Sequence, residues 1–163
     1  GVIGSDGWAS YSSYTDKIQR CWAHLLREAK YLANEHDSAK SLYEGLKKIY
    51  EKATDKKPPS KNDLIIEMRQ WIDYAQCYKE LRKFAITIGN GIEHWFTFLD
   101  YKYVEPTNNR AERALREMVI QRKIIGTLRN EKGTTIMERI VSCIATWKQK
   151  GLNPFNEIKA RLC

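Results

Sequence analysis

The chain has 163 residues, 42% of them hydrophobic, which is enough for one domain with a genuine core and excludes wholesale disorder. Its 28 Lys/Arg outnumber 20 Asp/Glu for a net charge of +8, and nearly all the excess falls in residues 106–163, which hold 12 basic residues against 5 acidic ones. No apolar run approaches the ~20 residues of a membrane helix, and Gly1–Trp8 lacks the basic start and apolar core of a signal peptide. The chain therefore reads as soluble, intracellular and cytoplasmic, with no membrane partner.

Val2 and Ile3 are β-branched and are followed by Gly4 and Gly7, so the first residues read as the end of a strand. One or two helical turns are expected over Trp8–Tyr14, then a short strand over Lys17–Cys21. From Trp22 to about Asn34 the residues Trp22, Leu25, Leu26, Ala29, Leu32 and Ala33 recur at helical spacing. A second helix is expected from about Ser38 to Ala53, with Asp37 or Ser38 as its N-cap. Pro58 and Pro59 make the following segment an exposed connector. One long helix is then predicted from Asp63 to about Ile88, with its aromatic residues in the core. Gly89 and Gly91 end it.

Ile92–Tyr103 is rich in aromatic residues and reads as a short helix or turn. Pro106 and Thr107 or Asn108 signal a helix start, and that helix runs to about Lys123 with Ala111, Leu115, Met118 and Val119 facing inward. Ile124–Asn130 is expected to be extended, Lys132–Gly133 to be a turn, and Thr134–Lys150 to be a helix carrying Ile136, Ile140, Cys143, Ile144 and Trp147 on one stripe. Gly151 stops it, and a terminal helix is expected over Phe155–Leu162. The fold class is mainly α with a small β component.

Two carboxylates stand out chemically. Asp6 lies where a strand meets its turn, the position at which open sheets place ligand-binding groups; an Asp before Gly is also common turn chemistry. Glu112 sits among Arg110, Arg113 and Arg116. It reads either as a surface pair with Arg116 or as a metal ligand inside a fringe of phosphate-binding guanidinium groups. The basic last third favours a polyanion, with nucleic acid the leading class and a solvated face the plain alternative. Four cysteines, Cys21, Cys77, Cys143 and Cys163, show no CxxC spacing and read as reduced thiols. CysTrpAlaHis at 21–24 lacks a second ligand pair, so packing or capping is a better reading than zinc.

Five segments in order carry a resemblance over almost the whole chain: SerAspGlyTrpAlaSerTyr at 5–11, CysTrpAlaHis at 21–24, ProThrAsnAsnArgAlaGluArgAlaLeuArg at 106–116, ArgLys at 122–123 and GlyLeuAsnProPhe at 151–155. The sequence resembles the transposases of the insertion sequence 66 family. That resemblance implies an incomplete ribonuclease H-like α/β core with a helical insertion, and a DDE-type polynucleotidyl transferase acting in DNA cleavage and strand transfer. It implies Asp6 and Glu112 as the second and third acids of an Asp, Asp, Glu triad holding two Mg²⁺ or Mn²⁺ ions. The first acid would lie upstream of Gly1, leaving the isolated chain inactive.

The same resemblance assigns DNA contacts to Asn108, Asn109, Arg110, Arg113, Arg116, Arg122 and Lys123. Leu26 and Thr107 stand where the family tends to carry a basic residue and an Asp. It further implies a division into partial catalytic core (1–21), helical segment and insertion (22–104) and core helices with the basic surface (105–163). The partners would be transposon ends and target DNA, with homo-oligomerisation of the intact enzyme. The alternative is a non-catalytic helical module for nucleic-acid binding or multimerisation.

Overall fold

The computed structural model describes residues 1–7, 13–128 and 130–162. Its elements are predominantly helical and fall into two units, Gly1–Arg110 and Ala111–Cys163. The turns expected over Trp8–Tyr14 lie for the most part outside the described residues.

In the first unit, β1 (Ile3–Ser5) and β2 (Ile18–Arg20) pair in parallel, with Ile3 opposite Ile18 and Ser5 opposite Arg20. β2 is buried along its length and leads directly into α1 (Trp22–Glu35). α2 (Ser38–Ala53) folds back along α1, and α3 (Lys61–Gln76) along α2. Apolar residues at spacings of three and four give each helix one inward stripe. Trp22, Leu25, Ala29, Leu42, Leu46, Ile49, Leu64 and Met68 are all buried in the common core. Trp22 is the centre of an aromatic cluster, with Tyr50, Trp95 and Phe96 rings at 5.4, 5.9 and 5.6 Å. Its Nε1 donates to the Trp95 carbonyl at 2.6 Å, so the indole is buried without an unpaired donor.

The long helix expected over 63–88 is broken. α3 ends at Gln76, Tyr78 is extended, a 3₁₀ turn covers Lys79–Leu81, and α4 (Arg82–Gly89) packs back against α3. The break lets Leu81, Phe84, Ala85 and Ile88 enter the same core as Met68 and Ile72. Arg82 Nε secures the corner by donating to the Gln76 carbonyl at 3.1 Å. Of the aromatic residues on this stretch, Trp71 and Tyr74 are half-buried against the core and Tyr78 is exposed. Ile92–Trp95 and Thr97–Leu99 are 3₁₀ turns.

α2 has Asp37 as its N-cap residue, one of the two expected, but Asp37 makes no side-chain capping hydrogen bond. Asp37 pairs with Lys40 at 2.6 Å, and Ser38 Oγ donates to Glu80 at 2.7 Å.

The second unit holds most of α5 (Asn109–Ile125) with α6 (Glu131–Gln149) and α7 (Pro154–Leu162). Two local expectations are corrected here. Ile124 and Ile125 belong to α5 rather than to an extended segment, and Lys132–Gly133 lies in the first turn of α6. Asn130 is the cause of the second: its Oδ1 accepts from the Gly133 amide at 2.7 Å and starts the helix three residues earlier than the glycine suggested. The inward stripe of α5 is corrected as well, since no residue of α5 is buried and Leu115, Met118 and Val119 are all exposed. On α6, Ile144 and Trp147 are half-buried, while Ile136, Ile140 and Cys143 are exposed.

Candidate metal and nucleic-acid site

Asp6 follows the last residue of β1 directly and is exposed. The turn it opens is fixed from several sides. The Gly7 amide donates to Ser5 Oγ at 3.0 Å, and the Cys21 amide donates to the Ser5 carbonyl at 2.8 Å. Gly7 has φ +106, a conformation that side chains rarely adopt, so the residue after Asp6 is a glycine for a backbone reason.

The start of the 106–116 motif is held against this same sheet. The Trp22 amide donates to the Pro106 carbonyl at 3.0 Å, and the Asn108 amide donates to Cys21 Sγ at 3.2 Å. Asn108 Oδ1 lies over Gly4, in space that a Cβ there would occupy. CysTrp at 21–22 therefore buries its side chains in the core while its backbone and thiol dock residues 106–108 beside the strand that carries Asp6. In the sequence these residues read as packed or capped rather than as a zinc pair, and as one segment of the family resemblance. Nothing local signals the docking, because Cys21 and Asn108 are 87 positions apart.

Asn109 begins α5, and Arg110 lies 3.6 Å from Glu105. Glu112 stands in the first turn of α5, where a carboxylate is favoured by the helix dipole, and Arg122 and Lys123 stand in the last, where cations are. At 3.6 residues per turn, Asn109, Glu112, Arg113, Arg116 and Lys123 share one face of about 100°. Arg110 and Arg122 lie off it. All five are exposed or half-buried, so the face is open to solvent. The opposite side carries Met118 and Gln121, which with Val141, Ile144 and Lys148 line a shallow groove between α5 and α6.

Carboxylate oxygens are the hard donors that Mg²⁺ and Mn²⁺ take. Asp6 and Glu112 each carry such oxygens. They belong to different units, and no group of three His, Cys, Asp or Glu residues suited to a metal occurs among the described residues.

Behind Asp6 stands a buried cation that the motif pattern did not point to. Arg20 is only 8% exposed, and its Nη1 donates to the carbonyls of Thr87 and Asn90, both at 2.7 Å. Its guanidinium lies 4.2 Å from the Trp95 ring centre. Burial pulls Arg20 below its usual range, opposed by the charges of Glu28 and Asp6. Burial likewise lowers His94, with the Arg20 charge adding to the effect.

β1 ends beside an exposed acid, Asp6, and α5 carries a second acid, Glu112, beside basic residues. Comparison with known proteins identifies the family: the model described as Transposase IS66 family matches residues 1–136, and the chain belongs to that family. No curated protein and no solved structure matches it. No helix among the described residues is long and apolar enough to cross a membrane.

Proposed function

We propose that this chain is part of the catalytic region of a DDE-type transposase that cleaves and joins DNA strands. The observation that carries the reading is the family match over residues 1–136, which spans both Asp6 and Glu112. In this reading β1 and β2 belong to a ribonuclease H-like core, the helices from about residue 22 to 104 are an insertion, and residues 105–163 carry Glu112 and the basic surface. Asp6 and Glu112 are two of three acids that hold Mg²⁺ or Mn²⁺. Bound divalent ions supply an activated water or 3′-hydroxyl and neutralise charge on the scissile phosphate. Arg113, Arg116 and Lys123, on the face of Glu112, bind and orient DNA phosphates, and Asn108, Asn109, Arg110 and Arg122 extend that contact. The intact enzyme acts as a homo-oligomer on transposon ends and target DNA, in the cytoplasm.

The test uses an active transposase that contains this chain. Asp6→Asn and Glu112→Gln keep size and hydrogen-bonding capacity while removing an anionic ligand. Each is expected to lower cleavage of transposon ends in Mn²⁺ by at least about 100-fold, the scale of loss when one preorganised group that stabilises transition-state charge is removed. Undiminished cleavage in either variant removes that residue from the mechanism.

A further inference from the structure

We propose that Arg20 is a positioning residue for Asp6, locking the Asp6–Gly7 turn to the C-terminal end of α4 so that the helical hairpin sets where the Asp6 carboxylate stands. The proposal rests on the reading of Asp6 as a metal ligand. Four neighbours converge on one guanidinium. Nη1 donates to two carbonyls at the end of α4, Thr87 and Asn90. The central carbon of the group lies over the Trp95 ring, 4.2 Å from the ring centre. Nη2 lies beside Gly7, in space that an added Cβ would need, 2.6 Å from it.

These contacts tie elements that are distant in sequence. Arg20 sits opposite Ser5 in the parallel pair, so its backbone is already fixed beside the strand that ends at Asp6. Thr87 and Asn90 follow it by 67 and 70 positions. A cation suits this place because the last carbonyls of a helix carry partial negative charge and lack intrahelical donors. Lysine cannot substitute fully: a single ammonium cannot donate to two carbonyls, stack on an indole and present a second edge to Gly7 at once. Trp95 is itself fixed, its Nε1 donating to the Ile88 carbonyl at 3.0 Å and its carbonyl accepting from Gln19 Nε2 at 3.1 Å. The Asp6 turn thus rests on a rigid support, which is what a ligand needs if it is to hold an ion without reorganising.

The experiment compares Arg20→Lys with wild type in the same complete transposase, reading Mn²⁺ binding by electron paramagnetic resonance, the Mn²⁺ dependence of cleavage, thermal melting, and exchange of the Gly7 amide. The expected result is a folded variant whose half-saturating Mn²⁺ rises by about 10-fold or more, with cleavage largely recovered at saturating Mn²⁺ and faster Gly7 exchange. A folded Arg20→Lys protein with a wild-type Mn²⁺ response overturns the proposal. If Arg20→Lys does not fold, Arg20→Gln decides, since it keeps a donor near the α4 carbonyls while losing the edge beside Gly7; there too an unchanged Mn²⁺ response is fatal. Asp6→Asn separates the two levels. If it abolishes Mn²⁺ dependence while Arg20→Lys changes nothing, only the role of Arg20 falls, whereas an unchanged response in Asp6→Asn removes the ligand reading and this proposal with it.

Discussion

The two units of the chain use the same kind of amphipathic helix to different ends. In Gly1–Arg110, the apolar stripes of α1, α2, α3 and α4 close on one another around Trp22, and the charged faces are left to water. In Ala111–Cys163, α5 and α6 carry comparable stripes, yet neither contains a buried residue, and Ile124 is 79% exposed. Helix stability in water comes mainly from burying one face rather than from intrinsic propensity. Unit 1 therefore holds its secondary structure through its core, whereas in α5 and α6 caps, charges and partial contacts carry more of the burden.

The sharpest way to break this contrast is at Trp22, which is 0% exposed. Trp22→Ala removes the centre of the aromatic cluster and leaves the Trp95 carbonyl with one donor fewer. A loss of about 3–5 kcal/mol is expected in urea denaturation followed by circular dichroism. Ile124→Ala, at an exposed position of α5, is expected to change stability by no more than about 0.5 kcal/mol. Similar costs at both sites would mean that burial does not distinguish the units.

A smaller effect is expected where α2 meets α3. Gly45 lies under the Trp71 ring, which occupies the space a Cβ would need. Gly45→Ala must push the indole or part the helices, and overpacking of this kind costs about 1–3 kcal/mol. The gain in helix propensity from Gly to Ala, about 1 kcal/mol, works against it. A net stabilisation in thermal melting would show that Trp71 moves aside freely and that this seam is not closely packed.

How much of this was legible in the sequence follows from where the determinants lie. α1 and α2 were readable because their spacing and their burial agree: Trp22, Leu25 and Ala29, like Leu42, Leu46 and Ile49, form the stripe and the core alike. The break between α3 and α4 was not, since the apolar period runs through Cys77 and Tyr78 without Pro or Gly and the corner is set by tertiary contact. On α5 the period was legible, but burial was not, because a stripe does not state what covers it. The same division holds at the candidate site. Asp6 and Glu112 could be picked out from local context and from the family resemblance. Arg20 and the docking of residues 106–108 on Cys21 could not, because their partners lie 67 to 87 positions away.

The helix caps give the finest test of the contrast. Ser60 Oγ accepts from the Asp63 amide at 3.1 Å at the start of α3, and Asn130 Oδ1 accepts from the Gly133 amide at 2.7 Å at the start of α6. The two caps satisfy the same kind of orphan donor, and loss of either side chain costs about 1 kcal/mol locally. Their consequences should differ. α3 has Leu64, Met68, Ile72 and Ala75 buried to hold it after the cap is gone, so Ser60→Ala should lower overall stability slightly and leave its first-turn amides nearly as protected as before. α6 has no buried residue, so Asn130→Ala should instead release the turn it caps. Amide hydrogen exchange resolves the two: faster exchange confined to residues 131–136 in Asn130→Ala, against little local change in Ser60→Ala. Equal local loosening at both helix starts would show that tertiary burial, for all its difference between the units, does not govern how these helix ends are held.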